Sequence, residues 1–156
     1  MSIGDRIKTI RNYRKMTLRE LGLAVGFDEN SANVRIAQYE SGTRTPKEDM
    51  VKRIANVLGV NHRFISTPTV DSDEDLMYTL LELDWQNPLE LIEIGDAASN
   101  DAELVAISFN SEGINKYLSE WVVVKKRLSD GQISENDYLE WKLGWYNNSK
   151  LDGLDA

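Results

Sequence analysis

Residues 16–46 read MTLRELGLAVGFDENSANVRIAQYESGTRTP, and the punctuation of this stretch decides the fold. Thr17, with Glu20 three residues on, is the reciprocal pair that caps a helix N-terminus. Leu21 and Val25 follow at apolar spacing and Gly26 closes the segment, which predicts a helix of about two turns. Asp28 or Asn30 is placed to cap a second helix with Ala32, Ile36 and Tyr39 as its inward stripe and Gly42 as its stop. Two short helices joined by a tight, Gly-containing turn make a helix-turn-helix, the arrangement that sets its second helix in a DNA major groove.

Working outward, Ile3, Ile7 and Ile10 recur at helical spacing upstream, with Arg6, Lys8, Arg11 and Arg14 on the remaining faces; this predicts an amphipathic helix with a basic outside. Downstream, Pro46 is expected to open a fourth helix with Met50, Ile54, Val57 and Leu58 inward and Gly59 as its stop. Asn61 is expected to cap a fifth through Phe64 and Ile65. The short connections leave no room for strands before residue 66.

Residues 5–65 resemble the lambda-repressor-like (Cro/XRE) helix-turn-helix family. The likeness runs through Ile7, Ile10-Arg11 and Met16-Thr17-Leu18-Arg19-Glu20-Leu21. It continues through Ile36-Ala37-Gln38-Tyr39-Glu40-Ser41-Gly42-Thr43-Arg44-Thr45-Pro46 and Ile54-Ala55-Asn56-Val57-Leu58-Gly59-Val60. It implies a five-helix DNA-binding domain in a transcription regulator that engages paired half-sites of double-stranded DNA as a homodimer. Leu18 stands where the family commonly has Gln, which removes one contact. The stretch between Gly26 and Glu40 is longer than usual, with the extra turn around Asp28 to Asn33. Glu40 matches a position the family uses structurally.

A wheel through the third helix leaves Ser31, Val34, Arg35 and Gln38 opposite the inward stripe. Their chemistry suits base edges: Arg bonds bidentately to guanine, Gln to adenine, and Val touches a thymine methyl. Thr17 and Arg19 at the start of the second helix, and Thr43, Arg44 and Lys47 after the third, are the candidates for phosphate contacts that set register and affinity.

Charge supports this division. The chain has 18 Lys plus Arg against 26 Asp plus Glu, a net −8, yet residues 1–66 carry +5 and residues 67–156 carry −13. Cations cluster where phosphates are expected, and the acidic part is expected to project away from the duplex.

Residues 67–75 read as an acidic linker running into a helix N-terminus, and Leu76, Leu80 and Leu83 as the helix stripe. After Pro88 the pattern alternates over Leu89 to Ile94 and Leu104 to Phe109, with turn formers from Gly95 to Asp101, which predicts a β-hairpin. A long helix should bury Ile114, Leu118, Trp121, Val124 and Leu128. A last one, from near Ser134, carries Tyr138, Trp141 and Trp145. The fold class expected is therefore mainly α: a five-helix DNA-binding domain (1–66), then a small acidic α+β region of helix, hairpin and two helices (76–146), ending in a frayed tail (147–156). The hairpin edges, or the Tyr138-Trp141-Trp145 stripe, offer a surface for dimerisation or for a protein partner of the acidic half.

Other chemistries find no support. Zero cysteines and a single His62 leave no thiolate or multi-histidine metal site, and no catalytic triad or phosphate loop is present, so neither an enzyme nor a cofactor is expected. Asp71, Asp73, Asp75 and Glu82 mimic calcium-loop spacing, but Leu76 occupies the position that demands glycine. No apolar run has the length of a membrane span, and a cytoplasmic protein is expected. A repressor of bacterial or phage origin is the primary reading. The alternative is an antitoxin-like or phage-related interaction module with autoregulatory DNA binding.

Overall fold

The computed structural model describes residues 1–94 and 104–146. Among these residues the chain forms eight α-helices and one two-stranded antiparallel hairpin. They divide into two compact units: Met1–Thr69 together with the described residues from Glu135, and Val70–Ser134.

The first unit holds the five expected helices, α1 (Ile3–Tyr13), α2 (Leu18–Ala24), α3 (Ala32–Glu40), α4 (Glu48–Leu58) and α5 (His62–Ser66), and in addition α8 (Glu135–Gly144). The caps of α2 and α5 are those the sequence announces, whereas α3 has Ser31 at its N-cap without a side-chain bond, and neither Asp28 nor Asn30 takes that place. Thr17 and Glu20 form the reciprocal box at α2, and the Asn61 side chain accepts the Arg63 N–H at α5. Gly59 ends α4 in the left-handed conformation at φ 67°. Pro46 is buried one residue before the Lys47 N-cap, so α4 starts at Glu48 and not at the proline. Ile7, Leu21, Ile36, Ile54, Leu58 and Ile65 are completely enclosed and make one core.

Two expectations change here. The basic outside of α1 is largely turned inward: Arg6 donates to the carbonyls of Ile65 and Thr67, Arg11 is buried against Glu40, and Arg14 donates to the Leu58 carbonyl and to Glu140. Helix ends leave carbonyls without partners, and arginine reaches them on a long stem. The expected domain boundary also moves, because α8 belongs with residues 1–69 and not with the hairpin. Leu143 is only 2% exposed within the N-terminal core, Leu139 packs beside it, and the Asn61 N–H donates to the Leu143 carbonyl at 2.9 Å. The apolar positions of α8 are satisfied there. Tyr138, Trp141 and Trp145 accordingly do not form one free stripe, since Tyr138 is buried.

The second unit comprises α6 (Asp73–Gln86), β1 (Leu89–Ile94), β2 (Leu104–Phe109) and α7 (Glu112–Ser129). The hairpin is present as expected, in a register that pairs Leu89 with Phe109 and Ile94 with Leu104. Ser72 caps α6, and Asp73, Glu74 and Asp75 fill its first turn. The expected burial fails, however. Leu76 and Leu83 of α6 are exposed, and of the five α7 positions expected inside only Val124 is buried; Ile114 and Trp121 are open to solvent. Two helices and two strands enclose too little volume to cover these side chains. The turn expected at Gly95 to Asp101 and the tail from residue 147 lie outside the described residues.

Candidate nucleic-acid interface

The recognition element α3 is fixed from three sides. Its inner face buries Ala32, Ile36 and Tyr39, and the Tyr39 ring meets Phe27 at 6.3 Å between centroids. Its start lies directly on α2: a Cβ on Gly22 would stand 2.5 Å from the Ala32 carbonyl oxygen, so glycine is what permits this crossing. Its end is clamped to α1 by Arg11, whose Nε and Nη2 donate to the two oxygens of Glu40 at 2.6 and 2.9 Å while Nη1 donates to the Met16 carbonyl at 2.7 Å. Both side chains of this bidentate pair are about nine-tenths buried. The bond to Glu40 holds the Arg11 guanidinium above its ordinary pKa, against the opposing effect of burial. Glu40 is thus committed to the scaffold. Gly4 provides the same close approach for α1, with a Cβ there 2.4 Å from the Tyr39 carbonyl oxygen. Gly4, Gly22 and the Arg11 partner of Glu40 escaped sequence reasoning, because close backbone approach leaves no periodic signal.

The longer stretch before α3 folds as a turn. Asp28 Oδ1 accepts the N–H groups of Asn30 and Ser31 at 3.1 and 3.0 Å, and α3 begins only at Ala32. These bonds hold the Asp28 carboxyl below its usual pKa, with the Ser31 side chain contributing most. Of the stretch from Asp28 to Asn33, residues 28–31 form this turn and Ala32 and Asn33 open α3.

Of the base-edge candidates, Val34 is 52% exposed and Arg35 is half-buried with no side-chain partner among the described residues. Ser31 donates its hydroxyl to Asp28 Oδ2 at 2.9 Å, which occupies its proton. Gln38 is half-buried, and its Oε1 is a buried acceptor with no donor among the described residues. The four lie on one arc, but only Val34 and Arg35 present unoccupied chemistry outward.

Among the phosphate candidates, Thr17 is engaged in its cap: the hydroxyl accepts the Glu20 N–H at 3.1 Å and donates to the Glu20 carboxylate at 2.8 Å. Arg19 pairs with Glu29 at 2.8 Å, on an exposed surface where such pairs contribute little. Thr43 shares a hydroxyl contact of 2.8 Å with Ser41 just after Gly42, itself at φ 73°. The Arg44 N–H donates to the Gln38 carbonyl at 3.1 Å, which ties the loop to α3. An open cleft of about 240 Å3 gathers Arg44, Lys47 and Arg53 around Tyr39 and Met50. None of these three cations has a side-chain partner among the described residues. Arg53 was not a sequence candidate, although its place opposite the inward Met50, Ile54 and Val57 positions marks it as outward.

Residues 7–65 match the sequence model of the family described as Helix-turn-helix. Among solved structures the chain is similar to the crystal structure of transcriptional regulator BswR, at 22% identity over 85% of this chain and 100% of that chain, with a TM-score of 0.43. No curated protein matches. Residues 7–65 of this chain are a DNA-binding helix-turn-helix domain of the Cro/XRE type, with α2 and α3 as its helix pair.

Proposed function

We propose that the chain is a sequence-specific transcription regulator that reads the major groove of double-stranded DNA with α3 and engages paired half-sites as a homodimer. One observation carries this reading: α3 presents the exposed Val34 and the unpaired Arg35 on its outer arc while its inner face, start and end are locked by the core, Gly22 and the Arg11–Glu40 pair. A rigid element with a free guanidinium suits discrimination by bidentate contact to guanine, worth about 1–3 kcal/mol per contact. Arg44, Lys47 and Arg53 supply the sequence-independent phosphate grip. Repression is the simpler sign of regulation, because a domain seated in a promoter groove occludes it without needing any contact to the transcription machinery.

The test is binding to the DNA upstream of its own gene and to random DNA of equal length. Arg35→Ala is expected to reduce the preference between the two by about 5- to 150-fold, the equivalent of 1–3 kcal/mol, with little change in random-DNA affinity. Equal losses on both DNAs would place Arg35 on a phosphate, and no loss on either would remove α3 from the groove.

A further inference from the structure

The second unit exposes the apolar surface that a folded unit ordinarily hides. Between Leu76 and Val123, sixteen large apolar side chains are exposed, among them Trp85 at 91%, and Val124 is the sole buried side chain among the described residues of Val70–Ser134. The hairpin register shows that this is not a one-sided surface. Leu91 and Ile107 pair on one face, while Ile92 with Ala106 and Ile94 with Leu104 occupy the other. An antiparallel sheet ordinarily packs one of its faces against apolar surface.

Ordering the backbone costs roughly 1–2 kcal/mol per residue, which one buried valine and a few half-buried side chains such as Leu80, Phe109, Leu118 and Leu128 do not offset. The missing cover must therefore be present in every folded molecule. A second copy of the chain is the one partner supplied in equal amount wherever the chain is made, and a two-fold contact lets the same patch serve both sides. The area is of the right size: at about 150–250 Å2 for each fully buried aromatic, Tyr78, Trp85 and Trp121 alone supply on the order of 600 Å2 of the roughly 800 Å2 each partner contributes to a stable complex. The charges also suit a self-complementary contact, since the acidic start of α6 (Asp73, Glu74, Asp75) and the basic Lys125-Lys126 of α7 lie in the same unit.

We propose that Val70–Ser134 is a self-association module in which the α6 stripe, the Leu91–Ile107 face of the hairpin and the Trp121–Val122 surface of α7 are covered by the same elements of a second copy. This inference rests on the dimeric reading above and assigns its surface.

The experiment is sedimentation velocity of the full chain, without DNA, across about a hundredfold range of concentration. Wild type is expected to sediment as a dimer. The double variant Leu91→Glu, Ile107→Glu is expected to sediment as a monomer, its dimer dissociation constant raised at least about 100-fold by charge placed in an apolar contact. Where that variant loses structure, cross-linking replaces it, because the chain has no cysteine of its own. A single Leu91→Cys is expected to join two chains through a short bis-maleimide, and an exposed Lys8→Cys on α1 is not. A monomeric wild type, a variant that stays dimeric, or equal yields from the two cysteines overturns the proposal. Half-site binding is read separately: if it persists in the monomeric variant the DNA reading stands alone, and a dimer with no DNA preference sinks the DNA reading and leaves the module.

Discussion

At the residue scale, the interface separates groups spent on the scaffold from groups left for a ligand, and Gln38 stands between them. Its buried Oε1, without a partner among the described residues, carries a desolvation cost of about 1–3 kcal/mol, which in the proposed complex a turn of the amide toward a base edge would relieve. The substitution Gln38→Leu should therefore raise the stability of the free protein by about 1 kcal/mol while lowering discrimination at one base pair. Thermal melts beside binding to single-base operator variants check both parts; a destabilised variant would show that the oxygen has a donor after all. Which outward residues of α3 exist was legible from the 3.6-residue period. Which of them are free was not, because Ser31 commits its hydroxyl donor to Asp28 and Gln38 has its Oε1 buried, neither of which leaves a footprint in spacing.

At the element scale, the instructive case is α8. It reads in isolation as an ordinary amphipathic helix, yet it completes the core of residues 1–69 through Leu143 and a bidentate pair between Arg14 and Glu140. Truncation by Leu143→Ala should cost the N-terminal unit about 2–5 kcal/mol, measured by chemical denaturation of the full chain. The hydrogen bonds from Arg14 hold the Glu140 carboxyl below its ordinary pKa of 4.5. Its contribution is therefore complete above pH 4.5 and is lost as the pH falls through the lowered value. The stability gap between wild type and Glu140→Gln should be present at neutral pH and close in that acid window; a gap independent of pH would remove the ion pair as its cause. Helix existence was readable from caps and period, but the surface that receives a helix is a property of elements more than 70 residues away in the chain.

At the scale of the whole molecule, net charge is a poor guide to the grip on DNA. Residues 1–66 carry twelve cations, but Arg6, Arg11 and Arg14 bond within the fold, Arg19 pairs with Glu29, and Lys52 with Glu48. With Arg44, Lys47 and Arg53 as the phosphate contacts, the slope of log affinity against log salt on a half-site should be about −3, from roughly −0.9 per neutralised phosphate, and Arg44→Ala should bring it to about −2. A wild-type slope much steeper than this would enlist further cations, and an unchanged slope in the variant would exclude Arg44. No helix among the described residues is long and apolar enough to cross a membrane. The amino-acid sequence by itself determined the helix-turn-helix and its five-helix frame, because caps, glycine stops and apolar period act within a few residues of one another. Only the tertiary structure decided that α8 joins that frame, that three arginines are structural and that Val70–Ser134 leaves its apolar faces uncovered. Those outcomes depend on which surfaces meet across the chain, and local pattern carries no information about the partner a surface will find.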